Sequence, residues 1–575
     1  MIKAHFTLQN FRNQLASYDA LPQLVALGLL SGVSCGLLIA LFRFAIDIPL
    51  GELLPEHVEN FEGLSLVQRF LFPCIGGLIL AIMYKYWSLI KNKVGVVHLL
   101  ERLAYHQGHI PGKNLISQFI IAVVALVSGQ SVGKEGPAIY MGASLSSVLG
   151  QWLRIPDNSH RILVACGCAA AISAAFNTPL AGVVFAMEVI LLDYTIAGFT
   201  PIIVASVTSA LVTRLIFNNE PLFSAPAFEI LSYSEIPWIM VLAVAIGTLA
   251  TAFIKLMLFT RQVIRVSLSV RLLIAGILTG IVAIFYPQVM GTGYDTITAT
   301  FHGNIELSLL IAILIAKIIL TPIILGLGIP AGLIGPSLFI GAVAGAIFGA
   351  AGGLFVDVSV SHIGMYAMLG MGAMMAAVLN APLAALIALL ELTNNHNIIF
   401  PGMIAIVCAN LTTRYIFKTP SAFLALLQDQ GLDYRLEPLA QILTRVSVAK
   451  VMSQSFKITT DQISLLQAKK ILDRQTMWVV TQHKEQYNSV FPSSNISSFL
   501  ARDLISDDQK IDLLRIPAQR FPIYNIPLKA TLHQALQLMN SENIDLLCVL
   551  DYNETLIGIL SRVQIEHYYT SKQSQ

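Results

Sequence analysis

Apolar stretches of roughly 20 residues recur along this chain from Leu24 to Tyr415, and a hydrocarbon core of about 30 Å requires helices of that length. Within lipid a segment must satisfy its own backbone hydrogen bonds, which a helix does internally. Only 12% of the 575 residues are charged and 55% are hydrophobic, against roughly 25% charged residues in a soluble domain. The chain is therefore expected to be an all-α, polytopic membrane protein. The first apolar run follows the mixed segment Met1 to Leu21 and carries no cleavage pattern, so no removable signal peptide is expected. Six cysteines (Cys35, Cys74, Cys166, Cys168, Cys408 and Cys548) lie mostly in apolar surroundings and read as packing thiols. Cys166 and Cys168 are too close for C-x-x-C metal geometry, and no histidine cluster supports a metal site. A net charge of +2 gives no pull toward nucleic acid.

Composition changes after Gln428, where the long apolar runs stop and charged residues become dense. This divides the chain into a cytoplasmic N-terminal segment (1–22), a membrane domain (23–430) and a soluble C-terminal domain (446–575). The soluble part contains two similar stretches. One runs from Val451-Met452 through the amphipathic Ile463 to Leu472 and on to Trp478-Val479-Val480. The other runs from Ile526-Pro527 through Thr531 to Met539, then Leu546 to Leu550 and Gly558 to Arg562. Each reads as strand, helix of period 3.6, then buried strand, and the pair resembles two CBS modules. Ser489 to Ser498 reads as a polar insert in the first.

The membrane part repeats itself. Gly133-Lys134-Glu135-Gly136-Pro137 followed by Gly142-Ala143 matches Gly332-Leu333-Ile334-Gly335-Pro336 followed by Gly341-Ala342, 199 positions on. Both are G-x-x-G-P-x-x-x-x-G-A, and both head an apolar helical run. Asn177-Thr178-Pro179-Leu180-Ala181 is answered by Asn380-Ala381-Pro382-Leu383-Ala384, and Glu188 by Glu391, each 203 positions later. Gly95 and Gly293 precede the two phrases by 38 and 39 positions. Landmarks in the same order at near-constant offset indicate two repeats, about 23–216 and 235–417. Duplicated, Gly/Pro-broken helices are how many transporters build a substrate site near the membrane midplane.

Together with Gly291-Thr292-Gly293-Tyr294, these phrases resemble the CLC family of chloride channels and chloride/proton exchangers, over roughly residues 24 to 430. The resemblance implies an inverted-repeat fold of tilted, broken helices, a homodimer with one pore per subunit, and a trailing CBS pair. It implies Gly133, Lys134, Gly136, Leu333 and Ile334 at the anion, with Pro137, Gly332, Gly335 and Pro336 shaping the two helix starts. A helix N-terminus leaves about four N–H groups without partners and carries roughly +0.5 charge. Several such ends replace part of an anion's hydration shell while still allowing release.

Glu135 stands at the centre of the first phrase only. A carboxylate inside a membrane segment is costly unless compensated, so it is functional by default. Ionised, Glu135 can occupy an anion position; protonated or displaced, it vacates the path. The resemblance likewise makes it an external gating glutamate.

Three positions depart from the family pattern. Lys93-Val94-Gly95-Val96-Val97 stands where the family has G-S-G-I-P, so Val94 replaces a serine hydroxyl at the central anion. Phe423 takes the place of a tyrosine after the last membrane helix, and Glu188-Val189 replaces the Glu-Glu of many exchangers. Fewer hydroxyl donors imply weaker anion binding, and Val189 implies looser proton coupling. Glu188 reads as structural. Lys91 and Lys93 fit the positive-inside bias of cytoplasmic loops.

The CBS pair is expected to serve chiefly as a structural, dimerising unit; the alternative is a regulatory adenine nucleotide, with Ser561 and Gln564 at the ribose position, Gln564 standing where an aspartate is usual. The expected function is chloride transport gated by Glu135, channel-like or weakly coupled to protons, in a lipid-embedded homodimer of a bacterial inner membrane with the CBS pair cytoplasmic. The alternatives are another anion such as nitrate or fluoride, or a nucleotide-responsive membrane sensor. No nucleophile–base set or paired carboxylates point to an enzyme.

Overall fold

Among the described residues, sixteen helices in two matching sets of eight build the membrane part. The structure, a computed structural model, describes residues 15, 20–54, 60–192, 196–217, 222–223, 235–352, 363–432, 443–444, 446–473, 476–483, 486–502, 510–551 and 554–573. The N-terminal segment expected at 1–22 lies largely outside the described residues. The chain forms two compact units. One comprises Leu24–Leu153 with Arg161–Tyr434, and the other Met1–Gln23, Arg154–His160 and Arg435–Gln575.

The first set is α1 (Leu21–Leu53), α2 (Leu66–Tyr86), α3 (Val96–Tyr105), α4 (Gly112–Val127), α5 (Glu135–Leu153), α6 (Asp157–Phe176), α7 (Pro179–Phe185) and α8 (Ile196–Phe217). The second is α9 (Glu235–Val263), α10 (Leu268–Phe285), α11 (Tyr294–Phe301), α12 (Leu307–Leu327), α13 (Ile334–Gly352), α14 (Ile363–Leu379), α15 (Pro382–Thr393) and α16 (Ile399–Leu411), followed by α17 (Ala422–Asp429). Among the described residues nine helical segments are long and apolar enough to cross a membrane. The chain is a multi-pass membrane protein.

The sets correspond in backbone detail. α3 opens after Gly95 at φ +92° and α11 after Gly293 at φ +78°, a region that glycine enters without strain. Asn177 and Asn380, at φ +59° and +54°, turn the chain into α7 and α15, where Pro179 and Pro382 occupy the first helical position. Like elements pack on like: α2 on α10 and α7 on α15. A Cβ on Gly77 of α2 would lie 3.0 Å from Gly276 Cα of α10, so these two backbones all but touch. The Gly142 and Gly341 landmarks play one role twice, seating α5 on Gly167 of α6 and α13 on Gly370 of α14.

The C-terminal unit holds two halves on one plan. β1 (Phe456–Thr460) runs parallel to β3 (Trp478–His483), which pairs antiparallel with β4 (Gln486–Pro492). β6 (Asn525–Pro527), β7 (Leu546–Leu550) and β8 (Leu556–Ser561) repeat that order. A short pair, β2 (Gln462–Ser464) and β5 (Lys510–Asp512), flanks the first half. The helices are α18 (Leu465–Asp473), α19 (Ser494–Arg502), α20 (Leu532–Ser541) and α21 (Arg562–Gln573). Val480, Val490, Leu546, Cys548 and Ile559 form a core shared by both sheets. The stretch Ser489 to Ser498 is not an insert. β4 continues through Ser489 to Pro492 because Val490 and Phe491 are buried and Thr481 Oγ1 meets Ser489 Oγ at 3.0 Å, and α19 follows at once. Arg154–His160 belongs to this unit: Asp157 N–H donates to Lys529 O (3.0 Å) and Gln534 Nε2 to Asp157 Oδ2 (3.1 Å). All six cysteines are free thiols, four of them buried.

Candidate anion site

The two G-x-x-G-P phrases meet. Gly133 N–H donates to Gly332 O at 2.8 Å and Gly332 N–H to Gly133 O at 2.7 Å, a two-residue antiparallel bridge between the repeats. Immediately beyond it α5 starts at Glu135 and α13 at Ile334. Gly136 lies so close that a Cβ there would sit 2.7 Å from Gly332 Cα, and one on Gly133 would sit 3.0 Å from Pro336 Cδ. Small residues are thus required by contact across the repeats. Pro137 and Pro336 each occupy the third position of their helix, where a missing N–H costs nothing.

Glu135 is 1% exposed. Its Oε2 accepts from Gly335 N–H at 3.0 Å and its Oε1 accepts from the Tyr294 hydroxyl. A carboxylate of the first repeat therefore occupies the N-terminus of a helix of the second, where dipole and charged hydrogen bonds both offset the cost of burial. Leu333 and Ile334, flanking this helix start, are buried, while Lys134 points its Nζ over the Tyr294 ring at 5.0 Å.

Two residues at this site escaped sequence reasoning. Tyr294 opens α11 and is wedged edge-on against Phe223, with ring centroids 5.4 Å apart. Its place in Gly291-Thr292-Gly293-Tyr294 was the available signal. Lys317, in the middle of α12, is fully buried; its Nζ donates to Val289 O (3.0 Å) and Gly291 O (3.2 Å) and lies 4.4 Å over the Phe339 ring of α13. It touches both elements that hold Glu135: the loop leading to Tyr294 and α13, which carries Gly335 in its first turn.

Residues 75–414, more than half of the chain, match the voltage gated chloride channel family. The chain belongs to that family. It is 25% identical over 611 residues to the chloride channel protein CLC-f of Arabidopsis thaliana, covering 98% of this chain and 72% of that one. It is 27% identical over 433 residues to the H(+)/Cl(-) exchange transporter ClcA of Vibrio vulnificus, covering 69% and 89%. The crystal structure of a slow cyanobacterial Cl-/H+ antiporter shares its fold with a TM-score of 0.62 at 21% identity, over 71% of this chain and 97% of that one.

Within this chloride channel family member, Val94 and Phe423 lie at two elements that pack together, and the remaining expected residues lie elsewhere. Val94 is half-buried in the loop before α3, and Phe423 is buried in the first turn of α17; α3 and α17 pack on each other. Neither offers a side-chain donor. Lys93 is held by Glu101, Nζ to Oε2 3.2 Å. Glu188 and Glu391 cap the other repeat's helix: Glu188 accepts from Leu383 and Ala384 N–H (3.3 and 2.7 Å), Glu391 from Leu180 and Ala181 N–H (3.0 and 2.8 Å). In the C-terminal unit, Ser561 N–H (2.8 Å) and Oγ (3.1 Å) donate to Gln564 Oε1, and Gln564 N–H donates to Ser561 Oγ (3.3 Å). That is a capping box opening α21.

Proposed function

We propose that this protein carries chloride across a membrane along a path formed where the two repeats meet, and that Glu135 gates it. The observation that carries the reading is the Glu135 carboxylate on the Gly335 N–H and the Tyr294 hydroxyl. An acceptor of one negative charge at a helix N-terminus stands in for the anion itself. When Glu135 is protonated or swings away, those donors turn to chloride. Kinship to proteins named as chloride channels and H(+)/Cl(-) exchangers supports the same reading.

The finer parts follow from it. The working unit is a lipid-embedded homodimer in a bacterial inner membrane, its C-terminal halves a cytoplasmic CBS pair. An adenine nucleotide at that pair would compete for the Gln564 oxygen, which already serves α21, so the fit at Ser561 and Gln564 is poor and no step is assigned to a nucleotide. Val94, in place of a hydroxyl donor, favours weak anion binding, and Val189, in place of a second glutamate, favours weak or absent proton coupling.

The test is reconstitution in liposomes under a chloride gradient, recording chloride efflux and proton uptake together. Chloride efflux that responds to external pH is expected, and Glu135→Gln keeps the flux and loses that response. Uphill proton movement makes the protein an exchanger; chloride flux without it makes a channel. A Glu135→Gln protein with the wild-type response to external pH overturns the gate assignment.

A further inference from the structure

Behind the Lys93–Gly95 loop lies a buried polar cluster that the gate does not use. Tyr140, fully buried on α5, places its hydroxyl 2.8 Å from His98 Nδ1 of α3, itself only 8% exposed. Asn114 Nδ2 of α4 donates to the same hydroxyl at 3.3 Å and to Lys93 O at 2.9 Å. The hydroxyl also reaches Lys93 O, at 3.5 Å. Side chains of two helices, α4 and α5, thus converge on the carbonyl two residues before Gly95, the residue that turns the chain into α3, while His98 of α3 meets them only at the Tyr140 hydroxyl. Among the described residues no side chain caps that helix start, and a Cβ on Gly95 would meet nothing within 4 Å, although Val96, His98 and Leu99 of the first turn are themselves buried.

The hydroxyl has one proton and two acceptors for it. With His98 neutral and Nδ1 bare, the proton goes to the ring, and Lys93 O is held by Asn114 alone. With His98 protonated, Nδ1–H donates to the phenol oxygen, and the phenol proton turns to Lys93 O. Both arrangements are satisfied, and they differ in how firmly the loop is held and in one positive charge. The titratable and charged groups around His98 are Glu101 and Arg102 of its own helix, His106 just past that helix's end and Lys93 of the loop, with Lys93 already paired to Glu101. From α5 the ring meets the neutral Tyr140, whose hydroxyl in turn accepts from Asn114 of α4.

We propose that Tyr140 and His98 are a proton-responsive pair of positioning residues for the Lys93–Gly95 loop, setting from behind how the first turn of α3 presents its N–H groups to the anion. The proposal rests on the reading that this turn lines the chloride path. It returns to the loop, from α5 and α3, the hydroxyl and the titratable group that Val94 and Val189 lack. Acid on the Lys93 face ties the loop down and adds a positive charge, and both effects strengthen anion binding.

The experiment uses the full-length protein in liposomes, measuring the half-saturating chloride concentration while pH is varied on the Lys93 face only. Burial lowers the His98 imidazole pKa to about 4, so in the wild type acidification from pH 5.5 to 3.5 lowers that concentration several-fold, with little change above pH 5.5. His98→Gln, which keeps a donor and an acceptor but does not titrate, and Tyr140→Phe, which removes only the hydroxyl, each flatten the change to within twofold. A purely structural pair would scale the flux equally at every pH. If His98→Gln does not yield a monodisperse protein, Tyr140→Phe decides. Either variant retaining the wild-type profile overturns the proposal, as does a wild type that passes chloride without any response on this face. A wild type that passes no chloride defeats instead the transport reading beneath it.

Discussion

Gly133 and Gly332, 199 positions apart, each donate a backbone N–H to the other's carbonyl, at 2.8 and 2.7 Å. This bridge fixes the two helix starts against each other, so that Gly335 of one repeat faces Glu135 of the other. The site therefore belongs to neither repeat alone. Its geometry depends on how closely two backbones approach, and that approach is set by glycine.

Gly136→Ala tests the approach. The new Cβ would lie 2.7 Å from Gly332 Cα, a backbone atom that cannot move without breaking the bridge. Overpacking of this kind costs about 1–3 kcal/mol, so a clear fall in melting temperature in detergent is expected, together with lost chloride flux. Gly51→Ala, where a Cβ meets nothing within 4 Å, is the control and should melt no lower than the wild type. Equal melting of the two variants would refute the close approach.

Tyr294→Phe removes one of the two hydrogen bonds described for the Glu135 carboxylate. A hydrogen bond to a charged group is worth about 1.5–3 kcal/mol. The carboxylate should leave its position more readily, and chloride flux at neutral external pH should rise by roughly ten- to a hundredfold if gating limits it. The measurement is initial efflux from liposomes. Unchanged efflux, with Glu135→Gln still active, would show that the hydroxyl does not hold the gate.

Lys317→Met withdraws the donor from the buried carbonyls of Val289 and Gly291 and the cation from the Phe339 ring. Each buried acceptor left without a donor costs about 1–3 kcal/mol. Because the loop continues to Tyr294, the flux of Lys317→Met should shift in the same direction as that of Tyr294→Phe. The double variant should shift by less than the two added together, since both act on one carboxylate. Strict additivity in the flux cycle would separate Lys317 from the gate.

Much of this was legible in the chain itself. The two helix starts at Glu135 and Ile334 and the paired asparagine turns at Asn177 and Asn380 fall where repetition and patterning place them. What escaped was contact between distant positions. Tyr294 lies 159 positions from the carboxylate it holds, and no spacing encodes that. Lys317 looks like a stray charge in an apolar run until its carbonyl partners are seen. Ser561 and Gln564 show the opposite difficulty, a local phrase with two meanings. The same Ser/Thr-x-x-Gln opens α20 from Thr531 to Gln534 and α18 from Ser464 to Gln467, and in all three the glutamine turns back onto the residue that caps the helix.

The reciprocal caps give the sharpest test of the two-repeat architecture. Glu188 holds the first turn of α15 and Glu391 the first turn of α7, each through two backbone N–H groups. Loss of a helix cap costs about 0.5–2 kcal/mol, with a further contribution from the charge at the helix dipole. Glu188→Ala and Glu391→Ala should therefore destabilise the protein by similar amounts, about 1–2 kcal/mol each, read as melting shifts in one detergent. The two caps stand roughly 12 Å apart, since eight residues of helix at 1.5 Å per residue separate Glu188 from Leu180. Sites at that distance with no shared partner add to within about 0.5 kcal/mol, so the double variant should lose close to the sum. One neutral single variant would remove that carboxylate from the interface. A double variant far less stable than the sum would mean that α7 and α15 separate as one unit once both caps are gone.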